Sequence, residues 1–163
     1  MNDITEPRRH FPGRTRRLPA RYDRDLYSWA VQQAALLRAG RLIEADAGNI
    51  AEELDDVGSE QYNKLESALR IILLHLLKWD HQAARRSRSW WASITLGRNQ
   101  VRRVLRKNPG LKRRLDEAIT AAYEDARVQA AAQTRLGPRT FPARCPFSRQ
   151  QLMEREIAWP VAE

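Results

Sequence analysis

The sequence has few of the features that mark common classes of enzyme and membrane protein. Its one cysteine, Cys145, excludes an intrachain disulfide and a zinc site built from cysteine pairs. The longest apolar run, residues 71–74, is far shorter than the roughly 20 residues that cross a membrane, and no signal-peptide stretch precedes it. No phosphate-binding glycine loop or nucleophile elbow is present. We therefore expect a soluble cytoplasmic protein with no membrane association and no cofactor.

Acidic residues are missing from one long block of the chain. Residues 81–115 contain eleven lysines and arginines and no acid, whereas residues 44–66 contain eight acids and one base, Lys64. If these two segments pack together, their charges compensate each other inside the molecule. The net charge of +9 is therefore weaker evidence for a nucleic-acid partner than it first suggests.

The hydrophobic pattern predicts an all-α protein, a single-domain bundle of four main helices. No alternating strand pattern and no internal repeat is found. Residues 1–20 hold five arginines, three prolines and a glycine, too few apolar side chains to fold alone, and are expected to form a flexible basic arm. We assign residues 21–163 to one helical domain that ends in a proline-containing tail.

Each predicted helix begins at a residue suited to capping its first turn. Gly58 and Ser59 could kink the second helix or divide it, and the sequence leaves both possibilities open. The expected caps, in chain order, are Asp23, Asp46, Ser87 or Ser89, Asn108 followed by Pro109, and, for a short helix in the tail, Ser148 with Gln151.

The predicted core faces follow the helical period of the apolar residues. Gly97 on the third helix is expected to permit close approach of another helix. The fourth helix should carry the exposed pairs Lys112/Asp116 and Arg113/Glu117 and stop near Gly137. The main core positions are Leu26, Trp29 and Leu37; then Leu54, Val57, Leu65, Leu69, Ile72, Leu76 and Trp79; then Trp90, Ile94, Val101 and Val104; then Leu115, Ala118, Ile119, Ala122 and Ala126.

One candidate chemical site consists of three acids and a histidine: Glu52, Glu53, Asp56 and His75. Carboxylates and imidazole could hold a metal or perform acid–base chemistry, although no metal-binding spacing supports this and no metal is assigned. On one continuous helix His75 would lie about 33 Å along the axis from Glu53. The alternative is that the acids are solvated or pair with arginines, and that His75 is a core residue.

A basic and aromatic group is the best binding candidate. Arginines beside indole rings could hold phosphates and stack on bases. The competing interpretation is that the arginines clamp the acidic helix and brace the turn between the second and third helices, leaving one tryptophan exposed. The group consists of Arg85, Arg86, Arg88 and Trp91, with Arg102 and Arg106 on the third helix.

The chain resembles a known bacterial family, the domain of unknown function 29. The resemblance is carried by seven segments in order, among them "NIAEELDDVG", "LHLLKWDHQ", "RRSRSWWASI" and "FPARCPFSRQQL", and covers about residues 22–152. It implies a compact bacterial helical domain. It implies no activity and no catalytic residue, and the arm lies outside it.

Three functions are compatible with these observations. We favour a non-enzymatic scaffold or adaptor that binds another, unknown macromolecule, because folding signals are strong and catalytic spacings are absent. A nucleic-acid-binding protein that uses the arm and the third helix is the alternative. A metal-assisted hydrolase that uses the carboxylates and His75 is the third possibility. The sequence does not indicate the oligomeric state.

Overall fold

A computed structural model of the chain describes residues 21–159, and the predicted arm lies outside them. The regular structure of these residues is all helical, as predicted, with four main helices and a short fifth: α1 Leu26–Arg38, α2 Ala47–His81, α3 Arg88–Lys107, α4 Leu115–Thr134 and α5 Arg149–Glu154. Short 3-10 helices lie at Leu42–Glu44, Ala83–Arg85, Pro109–Arg114 and Pro138–Thr140.

The chain divides into two compact units, Met1–Glu53 and Leu54–Glu163. A single domain over residues 21–163 therefore stays a prediction. In the described part of the first unit, α1 begins at Asp25, whose side chain accepts a hydrogen bond from the Ser28 amide at 2.9 Å. The prediction of Asp23 as the cap was wrong by two residues; Asp23 instead pairs with Arg21.

The buried face of α1 matches the predicted one at Trp29 but differs at Leu26 and Leu37. Trp29 and Gln33 are buried, whereas Leu26 and Leu37 are exposed. The two buried side chains bind Asp46: the indole nitrogen of Trp29 donates to its carboxylate at 3.3 Å, and the Gln33 amide oxygen accepts from its backbone N–H at 2.9 Å. Hydrogen bonding therefore selects the inner face of α1.

Helix α2 is continuous for 35 residues, which excludes a break at Gly58. Asp46 caps it as predicted, accepting from the Asn49 backbone at 3.3 Å. The assignment of Leu54 and Val57 to the core was wrong, because both are exposed. From Leu65 to Trp79, however, most side chains are buried, so this part of α2 is the centre of the second unit, as expected.

Helices α2 and α3 run antiparallel and touch at Gly97. A Cβ atom at this position would lie 2.7 Å from Cγ1 of Ile72 and 3.4 Å from the backbone oxygen of Ala68. Only glycine permits this approach without a shift, which confirms the predicted role of Gly97. Ser87 caps α3, accepting from the Trp90 amide at 3.4 Å.

The fourth helix begins later and ends earlier than predicted. Asn108 does not cap it; its side-chain amide donates to the Val104 carbonyl at 3.0 Å and so satisfies the end of α3. The 3-10 segment Pro109–Arg114 then precedes α4, which ends at Thr134 because Arg135 adopts a left-handed φ of 60°.

The 3-10 segment also changes the predicted charge pairs. Side chains three apart align in a 3-10 helix, so the spacing of four that Lys112/Asp116 and Arg113/Glu117 require is lost. Arg114 pairs instead with Glu117 at 2.6 Å, and Asp116 pairs with Arg149 of α5.

The short helix α5 is capped as predicted. The Ser148 hydroxyl accepts from the Gln151 amide at 3.1 Å, and the Gln151 side chain accepts from the Ser148 amide at 2.8 Å. Leu152 of this helix is fully buried and completes the core of the second unit.

Candidate functional site

The predicted basic and aromatic group lies at the turn between α2 and α3, and its side chains contact the surrounding structure. Arg86 donates to the Trp79 carbonyl at 3.0 Å and lies over the Trp79 ring, 5.2 Å from its centroid. It thereby satisfies a carbonyl near the end of α2. Arg85 is exposed in the 3-10 turn.

Trp91 is half-buried rather than exposed, contrary to expectation. Its indole nitrogen donates to the Ile157 carbonyl at 3.2 Å, and its ring meets Trp159 edge to face with centroids 4.7 Å apart. Arg88 covers the same Trp159 ring at 5.5 Å. The segment after α5 therefore covers this part of α3 and leaves Trp91 only partly exposed.

Two arginines of α3 bind the C-terminal end of α5. Arg98 donates to the Leu152 carbonyl at 2.7 Å, and Arg102 donates to the Met153 carbonyl at 3.1 Å. These oxygens belong to the last turn of a helix, where no intrahelical donor remains. Burial lowers the pKa of Arg98 from its usual value. Arg102, a predicted binding residue, is therefore engaged in holding α5.

The predicted clamp between basic and acidic segments is wrong for the second unit. Its described ion pairs are Lys64–Glu60, Arg114–Glu117, Arg149–Asp116 and Arg155–Asp80, and none joins an acid of residues 55–66 to a base of residues 81–115. Arg86, Arg98 and Arg102 instead donate to backbone carbonyls. Carbonyls at helix ends are fixed acceptors, so no acidic side chain is needed there.

The described ion pairs therefore leave several cations of α3 and the following turn without a carboxylate. Arg106, a predicted binding residue, is one of them, and all are exposed. This basic surface consists of Arg103, Arg106, Lys107, Lys112 and Arg113.

The acidic and histidine residues do not form a site in the described structure. Glu53 accepts a hydrogen bond from the Tyr22 hydroxyl at 2.8 Å, and Glu52 and Asp56 are exposed. Asp56 and His75 lie on one helix about 28 Å apart along its axis. Among residues 21–159, no three histidine, cysteine or acidic side chains are grouped so that they could hold a metal ion.

The histidines and the cysteine interact locally. His75 and His81 each place Nδ1 at 2.9 Å from the carbonyl four residues earlier. Burial lowers the pKa of His75. Burial also raises the pKa of Cys145, whose thiol contacts the Phe147 carbonyl at 3.6 Å, so the reactive thiolate is disfavoured.

An apolar groove between α2 and α3 was not foreseen from the sequence. It has a volume of about 700 Å³, and all its lining residues belong to these two helices. Two large side chains in it are solvent-accessible, Ile71 at 39% and Leu96 at 67%. The sequence offered one indication of them: Ile71 and Leu96 are apolar residues that lie outside the predicted core faces. We call this site the α2–α3 groove; its apolar lining residues are Ala68, Ile71, Leu96 and Gly97, and its charged lining residues are Glu60, Lys64 and Arg103.

Comparison with known proteins now adds one decisive match. The family model for the domain of unknown function DUF29 matches residues 21–158. The chain belongs to the DUF29 family. No curated protein and no solved structure matches it significantly.

The DUF29 match covers the groove and the basic surface and leaves out the predicted arm. Within the part of the DUF29 chain that the structure describes, no helix is both long and apolar enough to cross a membrane.

Proposed function

We propose that this DUF29 domain is a non-enzymatic scaffold or adaptor that docks another protein in the α2–α3 groove. The observation that carries the proposal is the groove itself, in which Ile71 and Leu96 expose apolar surface although the core beneath them is closed. Leu96 is 67% exposed, so burying the rest of its side chain in an interface would contribute about 1–2 kcal/mol. Exposed apolar surface with a polar rim is typical of a protein-binding site.

The titratable side chains support binding rather than catalysis. Burial raises the pKa of the Cys145 thiol, whereas a thiol nucleophile needs a lowered pKa. His75 and His81 each bind a carbonyl of their own helix through Nδ1, and among the described residues neither belongs to a group of histidine, cysteine and acidic side chains that could hold a metal ion. These residues therefore favour a structural role.

Site-specific photocrosslinking in cells that encode the protein tests the proposal. A photoreactive amino acid at Leu96 should capture a discrete protein partner, since this position faces the groove. The matched control is Leu54 on α2, a leucine outside the groove that is exposed to the same degree, 66% against 67% for Leu96. Equal capture at both positions, or capture at neither, would count against docking in the groove.

Nucleic-acid binding is the second candidate function, and the basic surface is the observation that favours it. Five cations lie at the end of α3 and in the next turn without a carboxylate among the described ion pairs. If each neutralised one phosphate, the logarithm of duplex affinity would fall with the logarithm of salt concentration with a slope of about −4.5.

A mobility-shift assay at about 50 mM salt tests this alternative. Arg106→Glu should weaken binding to duplex DNA, while Arg139→Glu, an exposed control away from α3, should not. Absence of any shift with DNA or RNA would remove the alternative.

A further inference from the structure

We infer that the occupant of the α2–α3 groove is an amphipathic helix of a partner protein whose acidic flank faces α3. The inference rests on the proposed function and adds the shape and charge of the partner. Three properties of the groove lead to it: its open form, its length and the unequal charge of its two sides.

The open form of the groove favours a helix over a small ligand. Only α2 and α3 line it, so a ligand would be covered from below and remain exposed above. Small-molecule sites bury about 70–90% of the ligand surface. Two helices lying side by side do not enclose a ligand to that extent. A helix laid in a groove needs only its apolar stripe covered, because its other face stays in water.

The length of the groove matches a short helical segment. Along α2 it extends from Glu60 to Ile71, and along α3 from Ser93 to Arg103. At 1.5 Å per residue, these distances are about 16 Å and 15 Å. The groove therefore accommodates about three helical turns, enough for apolar anchors at positions i, i+4 and i+7.

The two sides of the groove differ in charge. On the α2 side, Lys64 lies 2.7 Å from Glu60, and the two charges neutralise each other. On the α3 side, Arg103 belongs to none of the described ion pairs. The sequence of α3 contains no acid, and Arg106 and Lys107 follow Arg103 at the C-terminal end of this helix. An acidic flank facing α3 would meet only cations, whereas a basic flank would be repelled.

Fluorescence anisotropy with designed peptides of about 18 residues tests the inference; this length exceeds the roughly 12–15 residues below which isolated helices are marginal in water. One peptide carries a leucine stripe with glutamates on one flank; its counterpart carries lysines at the same positions. We expect the glutamate peptide to bind the wild-type protein about tenfold more tightly, as two or three exposed ion pairs allow.

Charge reversal at the groove provides the matched variant. Arg103→Glu should weaken the glutamate peptide several-fold and strengthen the lysine peptide, while Arg139→Glu, an exposed control, should change neither. Leu96→Glu should weaken the binding of both peptides by tenfold or more, and Leu54→Glu, at an equally exposed leucine outside the groove, should leave the binding of both unchanged.

The outcomes separate the inference from the proposed function. Equal binding of both peptides, with both weakened by Leu96→Glu, would overturn the acidic partner and retain the groove. Binding insensitive to Leu96→Glu would overturn both. Light scattering that shows a dimer lost in Leu96→Glu would identify a second copy of this chain as the occupant. Duplex DNA that displaces the peptide and binds Leu96→Glu normally would assign the cations to nucleic acid. Each of the last two results contradicts the inference.

Discussion

Replacement of Gly97 by alanine should destabilise the protein, although alanine is the better helix former. In the interior of a helix, Gly→Ala contributes about 1 kcal/mol of stability. At Gly97 the added Cβ would lie 2.7 Å from Cγ1 of Ile72, closer than nonbonded atoms can approach. Something must therefore move.

The surroundings of Gly97 make that movement costly. Ile72 is fully buried, and its β-branched side chain has one strongly preferred rotamer in a helix. The next contact, the backbone oxygen of Ala68 at 3.4 Å, belongs to α2 itself. Overpacking of this kind costs about 1–3 kcal/mol, so the net effect of Gly97→Ala is a loss of about 0–2 kcal/mol.

Gly58→Ala is the matched control. Gly58 lies on α2, is exposed, and a Cβ there meets nothing within 4 Å. It should stabilise the protein by about 0.5–1 kcal/mol, leaving the two variants about 0.5–3 kcal/mol apart. Urea unfolding followed by far-UV circular dichroism measures both. If Gly97→Ala stabilised the protein as much as Gly58→Ala does, the close approach of α2 and α3 would be refuted.

Three further predictions concern pH, capping and ion pairing. Because burial lowers the pKa of His75, the unfolded chain takes up this proton first as the pH falls below about 6.5. Stability should therefore fall more steeply with acid in wild type than in His75→Gln, as thermal unfolding at several pH values would reveal; parallel profiles would contradict this. Ser148→Ala removes the cap of α5 and should cost about 1 kcal/mol in urea unfolding, and an unchanged midpoint would contradict the capping role. The bidentate pair between Arg155 and Asp80, with contacts of 2.6 and 2.8 Å, should give a coupling energy of about 0.5–1 kcal/mol in a double-mutant cycle, whereas additive effects would mean that it contributes nothing.

The fold could be predicted from the sequence where one strong local signal decides the structure. The apolar residues around Leu69 and Ile72 identified the central helix, and Ser148 identified α5 through its capping box. Gly97 indicated close helix packing because glycine has no Cβ to keep a neighbouring helix away.

The errors arose where a tertiary contact overrides the local pattern. Leu54 and Val57 fit the helical period of α2, but both side chains are exposed in the described structure. Asn108 is a good N-cap by type, yet it satisfies a carbonyl of α3 because the following segment adopts a 3-10 helix. Periodicity shows which residues share a face and does not show what the face meets.

The candidate site was predictable only in part. The sequence indicated that the turn near Arg86 joins two helices, but the acceptors there are backbone carbonyls, which every residue carries and no sequence pattern reveals. The groove arises from the spacing of two helices that are distant along the chain. Ile71 and Leu96 show no unusual feature until that spacing is known.

The contacts that α2 and α3 make with α5 and the residues after it have a consequence for the order of synthesis. Arg98 reaches Leu152 across 54 residues, Trp91 reaches Ile157 across 66, and Arg155 reaches Asp80 across 75. A ribosome makes α3 well before these acceptors and partners exist. During translation the Trp91 indole and the Arg98 guanidinium therefore stay exposed to solvent until the residues that cover them have been made. A nascent chain halted before α5 would leave both groups accessible to chaperones.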